Sequence, residues 1–146
     1  ETSLIHACTD ITGFGLLGHL GEMIHLTNKS KNKNLGEYPV SVTLFAESIP
    51  ILDGVFKLLK SHYFSTLAPS NRHAWDLLKT SNSNSSLVEL VLGSYLKDED
   101  SHKAILELLI DPQTCGPLLV SCSSKTAEVL LKNGSWYQIG KVNKVQ

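Results

Sequence analysis

The segment Thr9-Asp10-Ile11-Thr12-Gly13-Phe14-Gly15-Leu16-Leu17-Gly18-His19 constrains the fold of this chain more than any other. It holds one carboxylate, two threonines and three glycines, and it runs directly into an apolar pattern of helical period. Glycines let a backbone turn tightly and let a bulky ligand approach the main chain. A helix that starts just after them turns its unpaired N–H groups and positive dipole end toward that ligand. A carboxylate beside such a turn repels a bare phosphate, so Asp10 makes most chemical sense holding a divalent cation between protein and phosphate. The hydroxyls of Thr9 and Thr12 suit phosphate oxygens or metal-bound water, and Gly13 and Gly15 suit close backbone approach. The competing reading is structural: a glycine-rich turn before a core helix, with Asp10 or a threonine as its N-cap. Phe14 reads as an apolar plug beneath the loop, and His19 as a structural imidazole that donates a hydrogen bond.

Downstream, Leu16, Leu20, Met23 and Ile24 carry the apolar stripe of a helix. Polar Thr27–Asn34 reads as an exposed loop. Val40, Val42 and Leu44 alternate with Ser41 and Thr43, as in a half-buried strand. Pro50 marks a helix start, with Ile51, Val55, Leu58 and Leu59 as its stripe. Ser65–Asn71 is a loop around Pro69, Trp75–Leu78 a short helix, and Thr80–Ser86 a polar surface loop. Leu87–Leu96 and Ala104–Leu109 read as helices separated by an acidic turn, Lys97–Ser101. Leu118–Ser121 is a strand. Ser123 or Ser124 caps a helix that ends near Gly134. Trp136–Ile139 and Lys141–Val145 close the chain as strands. This order lacks a regular βαβ rhythm and predicts an α+β layered domain.

Composition narrows the function classes. With 146 residues and 42% hydrophobic content, one domain with a sizeable core is expected over 1–146. A net charge of −1 and a pI near 6.7 argue against a nucleic-acid surface. No apolar run reaches the length of a membrane helix. Cys8, Cys115 and Cys122 are an odd number without metal-ligand spacing, as expected of free thiols in a reducing cytoplasm.

The opening motif resembles the signature that begins the C-terminal domain of selenophosphate synthetases (selenide, water dikinases), members of the aminoimidazole ribonucleotide synthetase superfamily. Three further blocks follow in the same order: Ser65-Thr66-Leu67-Ala68-Pro69-Ser70-Asn71, Asp111-Pro112-Gln113-Thr114-Cys115-Gly116-Pro117-Leu118-Leu119, and Ile139-Gly140-Lys141-Val142. The resemblance implies a mixed sheet covered by helices, resembling the C-terminal domain of aminoimidazole ribonucleotide synthetase. It implies Mg2+ and ATP as cofactors, with Asp10 as a magnesium ligand and Thr9, Thr12, Gly13 and Gly15 beside the nucleotide. It further implies selenide as substrate, AMP and phosphate as by-products, and a homodimer. The reactive Cys or selenocysteine, an essential Lys and a glycine-rich segment belong to an N-terminal half of the same polypeptide. The chain opens without an initiator methionine and enters its motif within eight residues, so we expect a C-terminal half that is inactive alone.

One departure, one open residue and two alternatives stand beside this reading. The family pattern carries a second glycine where this chain has Pro117, which removes an N–H and fixes φ. Arg72 reads either as a phosphate clamp or as a solvated side chain. The alternatives are another ATP-using member of the superfamily, such as an aminoimidazole ribonucleotide synthetase or a thiamine-phosphate kinase, and a degenerate binding or assembly module.

Overall fold

A computed structural model describes residues 5–30, 39–78, 87–113 and 115–145. Among these residues five strands and five α-helices follow in the order β1 (Ile5–Asp10), α1 (Gly15–Ser30), β2 (Val40–Phe45), α2 (Val55–Lys60), α3 (Ala68–Asn71), β3 (Val88–Val91), α4 (Glu99–Ile110), β4 (Leu118–Cys122), α5 (Ser124–Lys132) and β5 (Gly140–Lys144). Among the described residues the strands form two sheets. β1 and β4 make an antiparallel ribbon with Asp10 opposite Leu118. The other sheet has the order β3-β2-β5, with β3 parallel and β5 antiparallel to β2. This is the α+β layout, with a mixed sheet and helices, that the interleaved patterns predict.

The core joins one face of α1 to β2 and to the end of α4. Leu17, Leu20 and Ile24 lie buried against Val42, Leu44, Val88, Leu109 and Ile110. Each such side chain stabilises the fold by roughly 1.5–3 kcal/mol through apolar area removed from water. The helix outlasts its apolar stripe and includes Thr27–Ser30, which were expected in a loop. Asn28 supplies the reason: its side-chain amide donates to the Val40 carbonyl at 3.0 Å, and its Oδ1 accepts from the Val40 N–H at 2.7 Å. The pair ties the end of α1 to the first residue of β2.

In β2 the expected alternation is broken by Thr43, which is as buried as its apolar neighbours. Its hydroxyl donates to Glu89 Oε2 at 3.1 Å and accepts from Asn143 Nδ2 at 2.9 Å, so both flanking strands satisfy it.

Five further expectations need correction. Ser65–Asn71 is not a loop throughout: Ala68–Asn71 form α3, with Pro69 in its first turn. Leu87–Leu96 is not a helix: Val88–Val91 is a strand in parallel register with β2, followed by a 3-10 turn over Gly93–Lys97. Val88 and Leu90 point inward while Glu89 and Val91 are exposed, a period of two hidden inside a run apolar enough to pass as helical. The acidic stretch before α4 is its first turn rather than a linker. Asp98 is the N-cap, its side chain accepting from the Ser101 N–H at 2.7 Å, and Glu99 and Asp100 sit at the positive dipole end. α2 starts at Val55, after Gly54, not at Pro50, and it buries Leu59 but leaves Leu58 exposed. The closing strand is Gly140–Lys144 alone, while Trp136–Ile139 lie outside any strand. The polar loop 80–86 and residues 31–34 fall outside the described residues.

Other expectations hold. Ser123 caps α5, accepting from the Thr126 N–H at 3.3 Å, and Gly134 closes the helix at φ 71°. No helix among the described residues is long and apolar enough to cross a membrane.

Candidate functional site

Two sequence blocks about a hundred residues apart are latched together at the end of the β1–β4 ribbon. Beyond the last ribbon pair, the Ile11 N–H donates to the Pro117 carbonyl at 2.9 Å, and the Gln113 N–H donates to the Thr12 carbonyl at 3.0 Å. Gly116 permits this approach, since a Cβ there would run into the Ile11 carbonyl. A third block enters through Asn71, whose buried amide donates to the Gly13 carbonyl at 2.8 Å and to the Ile110 carbonyl at 3.0 Å. That single side chain fastens the loop before α1 to the C-terminal end of α4. Sequence reasoning placed Asn71 in a motif block and gave it no role. Its signal was only its position after Pro69.

Asp10 ends β1 with its side chain exposed, and among the described residues it has no hydrogen-bond or ion-pair partner. The helix-cap reading fails: α1 begins at Gly15, five residues later, and a capping side chain reaches only the first turn beyond its own residue. Thr12 is not a side-chain cap either. Its backbone carbonyl accepts from the Gly15 N–H at 3.1 Å, and its hydroxyl lies 3.0 Å from His19 Nε2. Thr9 is half-buried, with its hydroxyl 3.3 Å from the Asp10 carbonyl. Gly13 is exposed, and an added Cβ would meet nothing within 4 Å, so open space lies above its backbone.

Gly15 differs from Gly13. It sits at φ 71°, and a side chain there would strike the backbone of Ile110. Its N–H is already bonded to Thr12, so packing of α1 against α4 accounts for this glycine. Phe14 is not a buried plug. Its ring is 54% exposed, leans on His19 at a centroid distance of 5.5 Å and borders a shallow cavity shared with Gly18, Glu22, His73 and Ala74. His19 is buried and hydrogen-bonded, as expected of a structural imidazole, and its Nδ1 lies 2.9 Å from Glu22 Oε2.

Arg72 is exposed, as a solvated side chain would be, but it is not a free clamp. It pairs with buried Glu107 at 2.8 Å and lies over Trp75, which donates to the Leu106 carbonyl. Asp111 follows α4 as its C-cap, held by Gln113 Nε2 at 2.8 Å. Burial raises its carboxyl above the ordinary aspartate value; the Gln113 hydrogen bond opposes this and the Glu107 charge adds to it. Thr114 lies outside the described residues.

These residues fit part of a cation site. An exposed carboxylate without a partner among the described residues, near an open glycine, suits one ligand position of a hard cation. Among the described residues no three His, Cys, Asp or Glu side chains converge to hold a metal.

Comparison with known proteins decides the family. Residues 1–146 match the family described as "AIR synthase related protein, C-terminal domain". The chain belongs to this family. It is 33% identical over 127 residues to the selenide, water dikinase of Clostridium botulinum, covering 87% of this chain and 29% of that protein. It is 34% identical over 126 residues to the enzyme of the same name from Campylobacter jejuni, covering 86% of this chain and 28% of that protein. The same name belongs to a relative from Caldanaerobacter subterraneus, 31% identical over 132 residues, with 88% and 29% covered. The chain thus spans less than a third of the length of the curated relatives it matches. As an AIR synthase related C-terminal domain, it carries the α+β fold that its motif blocks implied.

Proposed function

We propose that this chain is the C-terminal domain of a selenide, water dikinase, the enzyme that makes selenophosphate, AMP and phosphate from ATP, selenide and water. In this reading the domain forms one wall of the Mg2+-ATP site. Asp10 supplies one metal ligand, with Thr9, Thr12 and the open backbone at Gly13 beside the phosphates. Gly15 shapes the loop from behind. An N-terminal half of the same polypeptide contributes the remaining carboxylates and the reacting groups, and the whole enzyme works as a cytoplasmic homodimer. The supporting observation is Asp10 itself: an exposed carboxylate with no partner among the described residues, fixed by the latch between two motif blocks that resemble those of the dikinases.

The chemistry assigned to this wall is electrostatic. A bound divalent cation neutralises phosphate charge, and the protein positions the phosphate oxygens. What the chain's own residues do is hold that carboxylate in place. β1 delivers it to the rim, Pro117 and Gln113 fix the backbone of the two residues that follow it, and Asn71 locks the turn to the core.

The test is Asp10→Asn in the full polypeptide, assayed for selenide-dependent AMP formation. The substitution keeps the shape and removes the charge. Activity is expected to fall roughly a hundredfold or more, equivalent to about 2.7 kcal/mol of transition-state stabilisation. Melting should shift little, by about 1 kcal/mol or less, as for other exposed sites. Wild-type turnover in the variant would refute the assignment. Activity of the 146 residues alone would refute the one-wall picture.

A further inference from the structure

Thr12, His19 and Glu22 form an unbroken hydrogen-bond chain that starts two residues from Asp10 and ends at the protein surface. Thr12 Oγ1 lies 3.0 Å from His19 Nε2, and His19 Nδ1 lies 2.9 Å from Glu22 Oε2. The imidazole is buried, whereas the Glu22 carboxylate is 56% exposed. Three residues separate His19 from Glu22 on α1, so the two side chains meet on one helix face. None of these contacts is needed to form the helix start, because the Thr12 backbone carbonyl already accepts from Gly15 and Gln113.

The chemistry of the three groups gives the chain a direction. An ionised carboxylate only accepts, so Nδ1 must carry the hydrogen and donate it to Glu22. When the ring is neutral, Nε2 has only a lone pair, and the Thr12 hydroxyl donates its hydrogen to it. A hydroxyl has one hydrogen and two lone pairs. With the hydrogen committed to His19, Thr12 has only acceptor capacity left for a ligand. Such an oxygen suits a cation or the hydrogens of its bound water, and it does not suit a phosphate oxygen, which needs a donor.

We propose that Glu22 and His19 are positioning residues that hold the Thr12 hydroxyl hydrogen inward, so that Thr12 serves with Asp10 as an oxygen acceptor toward the divalent cation or its water. The inference rests on the proposed cation site at Asp10 and sharpens it, moving Thr12 from the phosphates to the metal. It also gives the buried imidazole of the opening motif a role that packing does not require. Orientation of a ligand by a hydrogen-bonded second residue typically changes metal affinity by about 10–100-fold.

The experiment measures Mn2+ binding to the full polypeptide by the loss of the free-ion electron paramagnetic signal, with no turnover required. Thr12→Val and His19→Asn are expected to weaken binding about tenfold. Thr12→Ser restores the hydroxyl, and His19→Gln restores an acceptor near the Nε2 position, so both should bind within about twofold of wild type on the same scale. Should His19→Asn fail to fold, Glu22→Ala at the exposed end of the chain reads the same coupling. Nitrogen NMR of the wild type should show His19 hydrogenated at Nδ1 and bare at Nε2, and Glu22→Ala should lose that preference. If Asp10→Asn abolishes Mn2+ binding while Thr12→Val and Glu22→Ala bind as wild type, the positioning chain is wrong and the site stands. If Asp10→Asn also binds as wild type, both fall. A ring hydrogenated at Nε2 in the wild type overturns the proposed direction.

Discussion

The core around α1, β2 and α4 and the latch at the end of the β1–β4 ribbon are built from the same chain by opposite rules. In the core, Leu17, Leu44, Ile105, Leu109 and Ile110 are almost completely removed from water, and even polar Thr43 is bonded to both neighbouring strands. In the ribbon, Ile5 and Leu118 are more than half exposed, Asp10 lacks a partner among the described residues and Gly13 opens onto free space. The core is held by apolar area. The latch is held by a few backbone hydrogen bonds and the Asn71 amide. The exposed loop beyond β1 is thus carried on a frame whose rigidity comes from elsewhere, a division often found where loops are held by a packed scaffold.

The sharpest way to break this comparison is to damage the core and ask whether the latch notices. Leu109→Ala removes a fully buried side chain on α4 one residue before Ile110, whose carbonyl Asn71 holds. Stability should fall by about 2–5 kcal/mol, the usual cost of transfer plus cavity. Denaturant unfolding measures it. A loss below about 1 kcal/mol on that scale would mean that α4 is not the frame on which the latch depends.

A second contrast uses two aspartates at opposite ends of α4. Asp98, the N-cap, has its carboxyl held below the ordinary value of 3.8, first by the Ser101 hydroxyl and then by the Ser101 N–H. Its contribution to stability is complete above that value and is lost as pH falls through the lower folded-state value. Asp111, at the latch, is shifted upward by burial, so its sign is reversed. Folding gains from its protonated form below the ordinary value, and that gain is lost as pH rises through the higher folded-state value. Asp98→Asn should therefore lower the melting temperature at pH 7, with the difference shrinking in acid. Asp111→Asn should hold or raise it at pH 7. Equal losses for both at pH 7 would erase the distinction between a helix cap and a half-buried latch carboxylate.

The smallest effect is expected at Pro117. Its carbonyl accepts from Ile11 whatever its side chain, so Pro117→Gly keeps that bond. The glycine adds unfolded-state entropy and should cost about 0.4–1 kcal/mol, with turnover of the full polypeptide unchanged. Paired melting and activity measurements check this. A several-fold gain in turnover would show that the backbone N–H absent at proline belongs to ligand binding, and the latch would then be part of the site rather than its support.

The residue pattern made much of this legible. The stripe of Leu16, Leu20 and Ile24 located α1, Ser123 and Gly134 bounded α5, and the motif from Thr9 to His19 singled out Asp10 before any fold was known. Where the pattern misled, a local signal was outweighed by a distant partner. Val88–Val91 looked helical until β2 offered a parallel edge, and Arg72 looked available until Glu107 took it.

By itself the sequence determined the α+β class, the ends of α1's buried face and the chemical identity of the groups at the rim, because periodicity, capping and side-chain chemistry are local properties. Only the tertiary structure decided which groups are free to act. It assigned Gly15 to packing against Ile110, turned the Phe14 ring outward, set the Thr12 hydroxyl against His19 and left Asp10 exposed. Those outcomes depend on contacts between residues 7 to about 100 positions apart, such as Thr12 with His19, Gly13 with Asn71 and Ile11 with Pro117. No local preference encodes such contacts, since whether a polar group is spent or available is fixed by which segments the core brings together.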